Sequence, residues 1–84
     1  STLTASNRIH AELLRLAKGH RQIDGGAEIS PTLTHADLAS RTNTTRESVT
    51  RELARLKKNN IIRTGPDRLS IIDITALTKL IEDE

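Results

Sequence analysis

Apolar residues recur along this chain at helical spacing in some stretches and in short β-branched runs in others. Ile9, Leu13 and Leu16 fall on one stripe of a first helix that runs from about Ser6 to Lys18. Ser6 or Asn7 would cap this helix and Gly19 would close it. Leu14 lies about 100° round from Leu13, so a second side of the helix is packed as well. A polar stretch follows over 20–31, with Gly25-Gly26 as its turn and no phosphate-loop pattern around the pair. Short extended segments at Ala27–Ser30 and Thr32-Leu33 are expected to pair with strands near the C-terminus.

Thr34-x-x-Asp37 is a capping signature for a short helix that ends near Thr42 and is buried through Leu38 and Ala39. Asn43-Thr44 makes the next turn, because Asn tolerates left-handed backbone. A longer helix starts at Thr44 or Thr45 and reaches Asn59 or Asn60. The three together are a helix-turn-helix over about 34–60. The runs Ile61-Ile62-Arg63 and Leu69–Ile72 flank Gly65-Pro66-Asp67, which predicts a hairpin over about 61–72. A last helix over about 74–83, capped by Asp73 or Thr75, carries Ile74, Leu77, Leu80 and Ile81 as an apolar stripe. The fold class is mainly α with a small β-hairpin, a winged helix-turn-helix in one domain.

Composition removes several functions. The 84 residues include no Phe, Tyr, Trp, Met or Cys. Without aromatics there is no base-stacking platform and no methyl-lysine cage. Without cysteine there is no disulfide, zinc finger, thiolate cluster or cysteine nucleophile. Leu, Ile and Val still make up 21 residues, enough for a small core. His10, His20 and His35 lack metal-ligand spacing, and no nucleophile elbow surrounds any serine. His10 and His20 are expected to be exposed polar residues on or just beyond the first helix. The expectation is no enzyme, no metal and no cofactor in this domain. No apolar run has the length of a membrane span, so a soluble intracellular domain is expected.

Charge sharpens the picture. Between Arg41 and Arg68 there are eight basic and three acidic residues, a surplus of five, while the rest of the chain is acidic by three. Basic charge gathered in one third of a chain is the footprint of a polyanion-binding face, although a merely solvated helix would carry it too. With Arg46 set at zero and about 100° per residue, Val49, Leu53 and Leu56 form the core side of the third helix. Arg46, Glu47, Thr50 and Arg51 are its early, outward residues, the ones a helix-turn-helix brings to base edges. Arginine offers two donors that match guanine O6 and N7, and glutamate accepts from cytosine N4. Glu47 also stands three residues after Thr44, where it would complete a capping box, and it forms an i,i+4 pair with Arg51 worth about 0.3 kcal/mol. Ser48, Glu52 and Arg55 are turned further from the groove. Lys58 is late in the helix and is assigned to phosphate.

The residues Leu33-Thr34-His35-Ala36-Asp37-Leu38-Ala39, Thr45-Arg46-Glu47-Ser48-Val49-Thr50-Arg51-Glu52-Leu53, Leu56 and Asn60-Ile61-Ile62 resemble the DNA-binding domain of the cyclic-AMP receptor protein and fumarate–nitrate regulator (CRP/FNR) superfamily. The likeness is ungapped from Lys18 to Ile62 and continues loosely through the wing to Asp73. It implies that Arg46, Glu47 and Arg51 read bases in a half-site with a GTGA-like core. It places Thr34, His35, Thr45 and Ser48 at phosphates and Arg68 on the wing near a basic family position. Thr50 stands where some members read a base with serine, so its preference is open. Such regulators are cytoplasmic and nucleoid-associated in bacteria, and they act as homodimers on two-fold sites. They also carry a sensor domain and a dimerisation helix that these 84 residues do not contain. The resemblance therefore implies a piece of a longer protein, with residues 1–4 at a hinge.

The implied partner is double-stranded DNA. The resemblance also makes the loop 22–30 a candidate surface for RNA polymerase. No long heptad seam is present, so this domain alone is expected to be a monomer. The competing function is a winged helix used for protein–protein contact, which would not require arginine at the groove-facing start of the third helix.

Overall fold

The computed structural model of the protein describes residues 4–82, with Arg21, Ile23 and Glu82 described by backbone only. The first helix, α1 (Ala5–Lys18), begins one residue before the expected start because Thr4 is its cap, accepting the Asn7 backbone N–H at 3.2 Å. Ser6 and Asn7 do not cap because both side chains turn inward, toward Glu52 and His10 respectively. The expected hinge, apart from Thr4, lies outside the described residues.

The stretch after α1 is more regular than its polarity implies. It forms a hairpin of β1 (Arg21–Ile23) and β2 (Gly26–Ile29), closed by a two-residue turn at Asp24-Gly25 with φ of 48° and 80°. Positive φ at both turn positions suits the right-handed twist of the strands, and Asp-Gly is a pair that adopts it. Gly26 belongs to the strand, not to the turn. A Cβ there would sit 2.2 Å from the Ile71 carbonyl oxygen, so its missing side chain permits the close approach of two backbones.

The short helix α2 (His35–Thr42) starts at Thr34, whose hydroxyl accepts the Asp37 N–H at 3.0 Å, and ends at Asn43 in the left-handed conformation, φ 55° and ψ 46°. Thr44 N–H then returns to the Ala39 carbonyl at 2.9 Å, which fixes the turn. The longer helix α3 (Arg46–Lys58) follows, with Thr45 as its cap.

The wing is β3 (Ile62–Gly65) and β4 (Arg68–Ile71), joined through Pro66 and Asp67. Asp67 has φ 56°, the left-handed position that follows proline in such a turn. The strands join into one antiparallel sheet in the order β1-β2-β4-β3, so the wing hairpin is half of a four-stranded sheet. The expected pairing of Ala27–Ser30 with a C-terminal strand occurs as β2 on β4. Thr32-Leu33 forms no strand; Thr32 N–H instead bonds the Asp67 carbonyl at 3.2 Å. The last helix, α4 (Ile74–Glu82), is capped by Asp73, which accepts the Ala76 N–H at 3.1 Å. Residue 83, expected in this helix, lies outside the described residues.

One core joins these elements. Ile9, Leu13 and Ala17 of α1 meet Leu38 and Ala39 of α2, Val49, Leu53 and Leu56 of α3, the sheet residues Ala27, Ile29, Ile62, Leu69 and Ile71, and Leu77 of α4. The three α3 residues are those that the helical projection assigns to the core. Their burial turns the opposite face of α3 outward, and that face carries the site.

Candidate nucleic-acid interface

Arg46, Glu47, Thr50 and Arg51 are all exposed on α3, within its first two turns. The cap decides one ambiguity. Thr45 accepts the Ser48 N–H at 3.1 Å, so the third helical position belongs to Ser48 and no capping box closes on Glu47. Glu47 makes no hydrogen bond and no ion pair among the described residues, and the i,i+4 contact with Arg51 is not formed. The guanidinium of Arg51 reaches only the Ser48 hydroxyl, at 3.5 Å. The carboxylate of Glu47 and the forks of Arg46 and Arg51 therefore face outward without a strong competitor inside the protein.

Ion pairing sorts the basic residues of 41–68. Arg41 pairs with Glu12, Arg55 with Glu52 and Arg68 with Glu28. Arg46, Arg51, Lys57, Lys58 and Arg63 form no ion pair among the described residues. Four of these lie on the outward face of α3 and one on the wing, so the unneutralised charge is more focused than the sequence alone shows. Lys58 is exposed in the last turn of α3, where a cation also complements the helix dipole.

The residues assigned to phosphate lie around this face. Thr34, His35 and Thr45 are exposed and Ser48 is half-buried. Thr34 and His35 stand at the N-terminus of α2, and Thr45 and Ser48 at that of α3, two helix ends that favour an anion. The His35 ring is drawn onto α3, with Nδ1 2.8 Å from the Thr50 hydroxyl. Arg68 is 56% exposed, with its guanidinium 3.4 Å from Glu28. Between α3 and the wing runs a cleft of about 420 Å³, lined by His35, Thr50, Lys57 and Arg68 among others. The sequence assigns Lys57 no contact, yet at about 20° from Arg46 it is exposed on the outward side, at the edge that borders the core stripe and the cleft.

The support behind α3 departs from expectation. His10, expected to be exposed, is 1% exposed and lies with Nε2 2.6 Å from Glu52 Oε2, while Nδ1 faces Asn7 Oδ1 at 3.1 Å. Glu52 also accepts from the Ser6 hydroxyl at 3.0 Å and from Arg55 Nη2 at 2.7 Å. Burial pushes the Glu52 carboxyl up, but hydrogen bonds from Arg55, His10 and Ser6 outweigh it and hold the group below its ordinary range. The sequence does carry a signal for this burial, since His10, Leu13 and Ala17 share one helical stripe. His20 is half-buried and its Nδ1–H donates to the Leu16 carbonyl at 2.7 Å, closing the end of α1. Among the described residues no group of three or more His, Cys, Asp or Glu is placed to hold a metal ion, and no helix is long and apolar enough to cross a membrane.

The Crp-like helix-turn-helix domain family covers residues 7–80. The chain belongs to that family. It is 28% identical over 82 residues to the transcriptional regulator SdrP of Thermus thermophilus, covering 98% of this chain and 41% of that protein. Among solved structures it resembles TTHB099, a CRP-family transcriptional regulator of Thermus thermophilus, with a TM-score of 0.82 and 30% identity over 96% of this chain and 42% of that one. TTHA1359, a CRP/FNR-family regulator of the same organism, gives a TM-score of 0.80 at 29% identity, over 96% of this chain and 42% of that one. The chain thus spans about two-fifths of the length of these relatives. The exposed second helix of the helix-turn-helix in this chain is α3.

Proposed function

We propose that this domain reads duplex DNA sequence-specifically by laying the N-terminal half of α3 in the major groove. Arg46 and Arg51 donate to guanine, Glu47 accepts from cytosine, and Thr50 touches a further base edge. Thr34, His35, Thr45, Ser48, Lys58 and Arg68 hold the phosphates on either side, and the half-site has a GTGA-like core. The observation that carries this reading is the freedom of Glu47 and the two arginines, whose internal alternatives are not formed in the folded chain. The domain acts as the DNA-reading part of a transcription regulator in the bacterial cytoplasm and nucleoid. It binds without a cofactor of its own and carries no enzymatic activity. Alone it is a monomer; in its parent homodimer two copies span half-sites about one helical turn apart. Binding-site selection tests the reading through the motif recovered.

A contact with RNA polymerase through 22–30 belongs to the same proposal, on changed ground. The segment is a hairpin rather than a loop, with Gly26, Ala27 and Ile29 buried. Gln22, Asp24, Gly25 and Ser30 are the exposed positions available to a partner. Substitutions at Gln22 and Asp24 that lower activation at unchanged DNA occupancy would support the contact. Unaltered activation would remove it.

A further inference from the structure

His35 and Thr50 are 15 residues apart, on different helices, and their side chains meet at 2.8 Å on the exposed side of the helix-turn-helix. His35 is the first residue of α2, and Thr50 lies one turn beyond Arg46 on the outward face of α3. Among the described residues, Nε2 of His35 makes no hydrogen bond. The pair therefore has one end turned to solvent at a helix N-terminus and the other on a candidate base reader.

Hydrogen-bond chemistry then limits what Thr50 can offer. A threonine hydroxyl has one proton and two lone pairs, and a neutral imidazole carries its proton on one nitrogen only. When His35 donates Nε2–H to a phosphate, Nδ1 is left bare and accepts from the Thr50 hydroxyl. That hydroxyl has then spent its proton and faces the groove as an acceptor alone. The major-groove groups that can satisfy an acceptor are the amino groups of adenine and cytosine; guanine and thymine present acceptors at the corresponding edge.

We infer that His35 is a specificity-determining residue, which fixes the Thr50 hydroxyl as an acceptor and so biases one base pair toward adenine or cytosine on the strand that Thr50 faces. This deepens the groove-reading proposal above and rests on it. Without His35 the hydroxyl rotates freely and serves donor and acceptor bases alike. His35 is thus a positioning residue for base choice, besides its role at phosphate.

The test is binding-site selection at low salt with this chain as wild type, His35→Ala, Thr50→Val and the double variant. Both sites are exposed, and valine keeps the branched shape of threonine, so folding is preserved and is checked by circular dichroism. One hydrogen bond is worth roughly a 2- to 10-fold preference, so wild type should favour adenine or cytosine at one position by about that factor. His35→Ala should bring that position to near parity, and in the Thr50→Val background it should change affinity alone. If Thr50→Val leaves every preference intact, Thr50 reads no base and the groove-reading assignment of Thr50 falls. If Thr50→Val removes the preference while His35→Ala only weakens all sites equally, Thr50 reads its base unaided and the role of His35 in base choice is overturned. Wild-type preference for guanine or thymine at that position also overturns it, because the hydroxyl would then be donating.

Discussion

His10 Nε2–H donates to Glu52 Oε2 across 2.6 Å, in a contact where the two side chains are 1% and 7% exposed. The pair ties the middle of α1 to the core-side flank of α3, on the face opposite the one offered to DNA. A recognition helix has to be held at a fixed angle, and this bond with its Ser6 and Arg55 partners is a polar anchor that does so. Removing one member of a buried pair leaves the other desolvated and uncompensated. Glu52→Ala should therefore cost about 3 kcal/mol or more. In a domain whose whole stability is of order 5–15 kcal/mol, urea denaturation would report that loss plainly.

The same group sets an acid limit. The folded-state pKa of Glu52 is depressed, so its contribution is fully present above the usual carboxylate range and is lost as pH falls through the lowered value. Glu12 is depressed in the same direction, chiefly by its hydrogen bond from Arg15, against the opposing effect of burial. Unfolding free energy measured along a pH series should fall on the acid side of that range. In Glu52→Gln the fall should be shallower, since one of the two depressed carboxylates is gone. An equally steep decline in the variant would assign the acid response elsewhere.

Capping and base reading separate cleanly at the start of α3. Thr45→Ala removes the side chain that accepts the Ser48 N–H and should cost about 1 kcal/mol in thermal or chemical denaturation. Glu47→Ala should leave stability within about 0.5 kcal/mol, because an exposed residue without partners is being removed. Its effect belongs in the choice of DNA sequence. The reverse pattern, with Glu47 supporting the fold and Thr45 neutral, would return Glu47 to a capping role.

These cases also show what the chain's pattern can reveal. The elements of the helix-turn-helix are legible because their signals are local: Thr34 before Asp37, Asn43 at a left-handed position, and Val49, Leu53 and Leu56 on one stripe. The outward face follows from the buried one. What the pattern hides depends on contacts distant in sequence. His10 shares a stripe with the buried Leu13 and Ala17, but its partner Glu52 stands 42 residues away and is shown only by the fold. The β1–β2 hairpin is hidden by its length, since strands of three and four residues show almost no periodicity, although Asp24-Gly25 is a hairpin signal in its own right. The cap of α1 is Thr4 and not Ser6 or Asn7, because Ser6 is drawn to Glu52 on α3 and Asn7 to His10 one turn further along α1.

Lys58 distinguishes charge from reading. Lys58→Ala should weaken binding to all duplexes nearly alike and reduce the slope of log K against log salt by about 1, the loss expected for one phosphate contact. Fluorescence anisotropy at several salt concentrations measures this. An unchanged slope would place Lys58 away from the DNA and leave it as a charge that only complements the helix dipole.

The claim that α3 reads bases is tested most directly by binding-site selection on wild type and Arg51→Ala, repeated at two salt concentrations. The account predicts a GTGA-like half-site for wild type at both. For Arg51→Ala it predicts a cost of about 1–3 kcal/mol on that site, with relaxed preference at one G·C pair and the other positions retained. Recovery of the same preferences from both proteins, with affinity differing only as salt changes, would contradict the base-reading role of Arg51 while leaving the fold untouched.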